Sequence, residues 1–149
     1  MSVFREDFFA VEQPLLARLR ETAPLAKAVL SMADIEEGQE KSQITPAIHV
    51  VFHGFSINGD EVEQIWLVVA VTKNLKQATA AAGNTARIDS DSGRLIVQII
   101  NGLRGFCPVP DESQPFRAIS PPSAVYQNGF MYTPTAWTVK FTYTRERGF

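Results

Sequence analysis

The chain is poor in the residues that most often carry chemistry. Its 149 residues contain one cysteine, Cys107, and two histidines, His49 and His53. A lone cysteine excludes an intrachain disulfide and a multi-cysteine metal site, and it suits a reducing compartment. No stretch approaches the eighteen or so apolar residues of a membrane-spanning helix, and Arg5 and Glu6 stand where a secretory signal would run apolar. The expected setting is therefore a cytoplasm, with no membrane partner. Fourteen basic residues face sixteen acidic ones, for a formal charge of -2, and none of the basic residues gather into a patch that would track a phosphate backbone. Glycine-rich phosphate loops and nucleophile elbows are also missing. What is plentiful is apolar material, at 45% of residues, enough for one ordinary core within residues 1–149.

The pattern of that apolar material predicts an α+β fold, with a single mainly antiparallel sheet and two helices packed on one face. From Asp7 to Ala23, Phe8, Leu15, Leu16 and Leu19 recur at helical spacing, with Pro14 suited to a first turn and Pro24 to a stop. Lys27 to Met32 reads as a short edge strand and Ala33 to Ser42 as an exposed loop. Between Ala47 and Thr72 two β-branched and aromatic runs flank Asn58-Gly59, which predicts a long hairpin with a two-residue turn. Taking Asn58 and Gly59 as that turn pairs Phe52 with Ile65. Ile48, Val50, Phe52, Ile65, Leu67 and Val69 then face the helices, and His49, His53, Gln64 and Trp66 lie on the opposite, half-buried face. Residues 73–92 are small and polar and read as a flexible arm. After them Leu95, Ile96, Ile99 and Leu103 mark a second helix, capped by Asp91 or Ser92 and stopped at Gly105. Strands follow at Phe116 to Ile119, Ala124 to Gln127 and Phe130 to Thr144, with a turn at Asn128-Gly129. Pro121, Pro122 and Pro134 belong at strand ends, edges or bulges.

None of the reactive side chains forms a catalytic pattern. His49 and His53 are four residues apart on a strand, which separates their Cβ atoms by roughly 13 Å, too far to share a metal ion. Cys107 lies just past a helix end without a local partner motif, and reads as a small apolar residue. Glu36, Glu37 and Glu40 lie in a loop with no apolar neighbours to raise a carboxyl pKa. No catalytic residue, cofactor or metal site is expected. Aromatic surface is the remaining resource: Phe55, Trp66, Tyr126, Phe130 and Tyr132 suit either the core or second face of the sheet or a subunit interface.

Several segments, in order along nearly the whole chain, resemble the tail terminators of long-tailed bacteriophages. They are Pro14-Leu15-Leu16-Ala17-Arg18-Leu19, Thr45-Pro46-Ala47-Ile48-His49-Val50, Gln64-Ile65-Trp66-Leu67-Val68-Val69, and Gly129-Phe130-Met131-Tyr132 leading through Pro134 to Trp137-Thr138-Val139. The resemblance implies a structural virion protein of the tail neck that forms a ring, usually a hexamer, on the finished tail tube. It implies contacts with tube protein and head-side connector, with sheath protein where the tail contracts, and with DNA only as cargo in the channel. Loops on a rigid scaffold usually carry contacts. The turns Asn58-Gly59 and Asn128-Gly129, together with the arm at residues 73–92, are therefore the candidate contacts; the aromatic residues Phe55, Trp66, Phe130 and Tyr132 join them as candidate interface residues, and Glu36, Glu37 and Asp60 are candidates for lining the channel. A different neck or tube protein, and a small ligand-binding or enzymatic α+β protein, are the alternatives.

Overall fold

A computed structural model describes residues 3–35, 43–73 and 90–143. Helix α1 (Val3–Glu6) and helix α2 (Glu12–Thr22) precede strand β1 (Ala28–Ser31) and a single 3₁₀ turn (Met32–Asp34). The hairpin β2 (Ala47–Asn58) and β3 (Glu61–Lys73) comes next, then helix α3 (Ser90–Leu103), two short strands β4 (Arg117–Ile119) and β5 (Val125–Gln127), and the long strand β6 (Phe130–Thr142). The strands form one sheet in the order β1-β2-β3-β6-β4, with β5 also on β6. All pairings are antiparallel except β1 with β2. The fold class is therefore the expected α+β, with the parallel edge strand making the sheet mixed.

Pro14 falls in the first turn of α2, where its missing N–H costs nothing. The helical signal read from Asp7 belongs partly to a separate turn, since α1 ends at Glu6 and α2 begins at Glu12. Leu15, Leu16 and Leu19 of α2 and Leu95, Ile99 and Leu103 of α3 are buried against the inner face of the sheet. Gly102 is where the two helices meet, and a Cβ there would collide with the Thr22 side chain. Arg18 Nε donates to the Gly102 carbonyl at 2.8 Å and its guanidinium lies over the Phe106 ring. Gly105, with φ of 78°, ends α3 as expected.

The hairpin forms, but with a different register. Asn58 pairs with Glu61, so Gly59 and Asp60 make the turn, with Gly59 at φ 64° in its first central position. A bulge between Phe52 and Gly54 then sets Phe52 opposite Trp66 rather than Ile65. A one-residue offset reverses which side chains share a face. Val62, Gln64, Trp66, Val68 and Ala70 consequently face the helices, and Ile65, Leu67, Val69 and Val71 take the outer face, the reverse of the sequence assignment for β3. Ile48 and Val50 are inside and His49 is on the outer face, as expected for β2.

Trp66 is thus a core residue, fully buried, opposite the equally buried Trp137 of β6. Its indole N–H donates to Gln64 Oε1 at 3.0 Å, and Gln64 Nε2 donates to the Phe8 carbonyl at 2.7 Å. The buried amide so ties the sheet to the connection between α1 and α2. Trp137 Nε1 similarly donates to Thr135 Oγ1, which donates to the Val68 carbonyl. Within β6, Trp137, Val139 and Phe141 alternate inward as their spacing predicts. The arm expected at residues 73–92 lies outside the described residues except at its ends, Lys73 in β3 and Ser90 to Ser92 in α3. The acidic loop residues Glu36, Glu37 and Glu40 lie outside them as well.

Candidate assembly surface

With the helices on the inner face, the outer face of the sheet is the larger unpartnered surface. Its apolar residues form a second cluster in which Ala47, Val69, Val71 and Phe130 are buried and Ala28, Leu67 and Tyr132 are partly so. The connection between β4 and β5 bends over this face and leaves a groove of about 360 Å³. Its floor is His49, Val51, Leu67 and Val69, and Met32, Ile35, Pro122, Val125 and Tyr132 rise around it. The Tyr132 hydroxyl accepts a hydrogen bond from Gln43 Nε2 at 2.6 Å, which fixes the ring at the rim. His49, 6.3 Å from the Tyr132 ring, is the one histidine in the groove. Burial depresses its pKa below the ordinary value of 6.5 by penalising the charged imidazolium. His53 sits at the bulge, exposed.

The candidate interface residues separate into groups. Phe130 and Tyr132 come together on the outer face, and Asn128 and Gly129 form the adjoining turn with φ of 53° and 83°, as a type I′ turn requires. Phe55, Asn58 and Gly59 lie at the other end of the strands, roughly 30 Å away at about 3.3 Å per residue along β2. Phe55 is half-exposed and packs edge-on against Phe8 at 5.0 Å. Trp66 joins neither group, being inside the core. Exposed Phe9 and Ile57 beside Phe55, and Val125 in the groove wall, escaped sequence reasoning. Phe9 lies off the apolar period of Phe8, Leu15, Leu16 and Leu19, and Ile57 stands next to the hairpin turn, so neither carries a pattern of its own.

Reactive groups are not assembled anywhere on this surface. Among the described residues no three of His, Cys, Asp and Glu come together as metal ligands, and none of the helices is long and apolar enough to cross a membrane. Cys107 packs its thiol near the Ser113 carbonyl and hydroxyl. A helix-backed sheet with exposed apolar residues near its hairpin and along β4 and β5 has the build of a structural protein that associates with others. The family model of the phage tail terminator protein matches residues 4–147, nearly the whole chain, and the chain belongs to that family. It is therefore a structural component of a phage tail, from a structural family not known as enzymatic. No curated protein matches the chain.

Proposed function

We propose that the chain closes the finished end of a phage tail tube as a ring, a hexamer in the simplest case. It stops addition of further tube subunits and offers the head-side connector a surface to dock on. The observation that carries this reading is the family match across residues 4–147. The exposed apolar residues Phe9, Phe55 and Ile57 near the hairpin and Ile119 and Val125 on β4 and β5 agree with it, since exposed apolar surface of this kind often marks an interaction site. Tube protein and connector are the expected partners, with sheath protein added in a contractile tail, and DNA passes through the channel without a dedicated site. Residues 1–149 act as one unit in this reading.

The test is the solution mass of the purified protein, alone and mixed with tail-tube protein, by light scattering with negative-stain imaging of the same samples. A discrete ring, or a monomer that caps and shortens tubes, is expected. Unlimited self-polymerisation would make it a tube subunit, and indifference to tubes would refute the capping role.

A further inference from the structure

The two edges of the sheet are complementary in outline. On one side β1 pairs with β2 only from Ala47 to Val50, so among the described residues Val51 to Asn58 has no neighbour along its outer edge. On the other side β6 is covered by β4 from Ala136 to Thr138 and by β5 from Phe130 to Tyr132. Among the described residues Thr133, Pro134 and Thr135 between them are uncovered.

Following the registers across the sheet brings these features to the same heights. Val51 leads through Leu67 and Ala136 to Ile119, and Phe52 through Trp66 and Trp137 to Ala118. Gly54 leads through Ile65 and Thr138 to Arg117. Strand β4 therefore projects from one edge at the level where β2 is bare on the other. Below it, Ile48 leads through Ala70 to Thr133, His49 through Val69 to Pro134, and Val50 through Val68 to Thr135. These are the levels at which Val29, Leu30 and Ser31 of β1 project beyond β2, while the level of Ala28 leads through Ala47 and Val71 to Tyr132, where β5 begins. One edge thus carries a projecting strand, β1, below a bare stretch. The other carries a notch below a projecting strand, β4. The connection between β4 and β5 turns onto the outer face, where Pro122 and Ser123 line the groove together with Pro134.

We infer that copies of this chain join edge to edge, with β4 of one copy added to the bare stretch of β2 in the next, and β1 of that next copy seated in the notch of the first. A rotation about an axis along the strands preserves strand direction. Strand β4, antiparallel to β6 and hence to β2, then adds to its new neighbour as an antiparallel strand. The occupant is a second copy because the matching edge belongs to this same sheet at the same height. Unpaired edges with exposed apolar flanks are a liability for a monomer. Here Phe9 and Phe55 flank one edge and Ile119 the other, each 40% or more exposed. The contact is heterologous, so it closes into a ring when the rotation per copy divides a full turn. This inference rests on the ring proposed above and names the surfaces that build it.

The experiment combines cross-linking with backbone exchange. Val51 and Ile119 share a row and both face outward, so Val51→Cys with Ile119→Cys, in a Cys107→Ser background, should give a ladder of covalent multimers ending at the ring mass under mild oxidation. Directly opposed antiparallel residues have Cα atoms roughly 4.5–5.5 Å apart, within disulfide reach. Either single substitution should stop at dimers or below. Amide exchange on the unsubstituted protein should slow at residues 51–58 and 117–119 when rings form, relative to dissociated protein. Rings that form without the ladder and without that protection overturn the edge contact and leave the ring standing. Protein that stays monomeric alone and with tube protein overturns the ring, and the edge contact with it.

Discussion

The buried amide bridge between β3 and the turn after α1 allows a sharp test of what holds the inner face. Gln64 is fully buried and serves two partners, accepting from the Trp66 indole and donating to the Phe8 carbonyl. Gln64→Leu keeps the volume but strands both partners. Each stranded buried group costs about 1–3 kcal/mol, so a loss of roughly 2–6 kcal/mol is expected. Trp66→Phe removes the indole N–H and leaves Gln64 Oε1 without its donor, at a further cost from the lost ring volume. In the double variant only the Phe8 carbonyl remains stranded. Its loss should then fall short of the summed single losses by the two groups no longer stranded, about 2–3 kcal/mol, as expected for partners in one hydrogen bond. Urea unfolding of the four proteins, followed by tryptophan fluorescence from Trp137 and far-ultraviolet circular dichroism, measures the cycle. Additive losses would show that Gln64 and Trp66 are not coupled, and would refute the bridge as the reason a glutamine occupies the core.

Three further outcomes are expected. Gly102→Ala should lower stability by about 1–3 kcal/mol, because the new methyl meets Thr22 Cβ at 2.9 Å, and this outweighs the roughly 1 kcal/mol that alanine gains in a helix; an unchanged melting temperature would refute the close packing of α2 on α3. The depressed pKa of His49 means that the unfolded chain binds more protons than the fold just below pH 6.5. The His49 contribution to stability should therefore be complete above that pH and decline as pH falls toward the folded pKa, and His49→Gln should flatten that part of the pH–stability curve. Asp60→Lys at the hairpin turn and Gln127→Lys beside the Asn128-Gly129 turn should each impair binding of a different partner, read by co-sedimentation with tube protein and with connector. Loss of the same partner in both variants would place the two turns on one binding surface.

Much of the architecture was legible because it is written in local periodicity. The helical spacing of Leu95, Ile99 and Leu103, the alternation from Trp137 to Phe141 and the Asn128-Gly129 turn each have one reading, and each appears in the fold. Strand β3 has two. Val62, Trp66, Val68 and Ala70 form one apolar set and Ile65, Leu67, Val69 and Val71 the other, so hydrophobicity alone does not say which set meets the helices. The bulge at His53 decides it, and a bulge leaves little trace in sequence beyond Gly54, whose φ is 149°. That single residue places Trp66 on the inner face and in the core instead of on the half-buried outer face. The candidate surface was legible in kind, as aromatic and turn residues, but its groove depends on how the β4–β5 connection folds over the sheet, a long-range placement that local pattern does not encode.

The opposite placement of the two turns follows from the register of β3 and β6. The hairpin turn lies where Glu61 meets Thr142, and the Asn128-Gly129 turn where Lys73 meets Phe130, at the two ends of the same strand pair. Twelve steps of about 3.3 Å separate those ends by roughly 40 Å. If neighbouring copies meet along the sheet edges, the edges are consumed by the ring and the strands run along its axis. The helix layer and the outer face then become its two walls, leaving the strand ends as its rims. A ring of this kind presents a different turn to each side, Gly59-Asp60 on one and Asn128-Gly129 on the other. Capping needs that asymmetry, because a ring with equivalent rims would bind tube at both and join two tubes instead of ending one. In the proposed ring the rim facing the tube has only to match the last tube ring, and the far rim has only to differ from it.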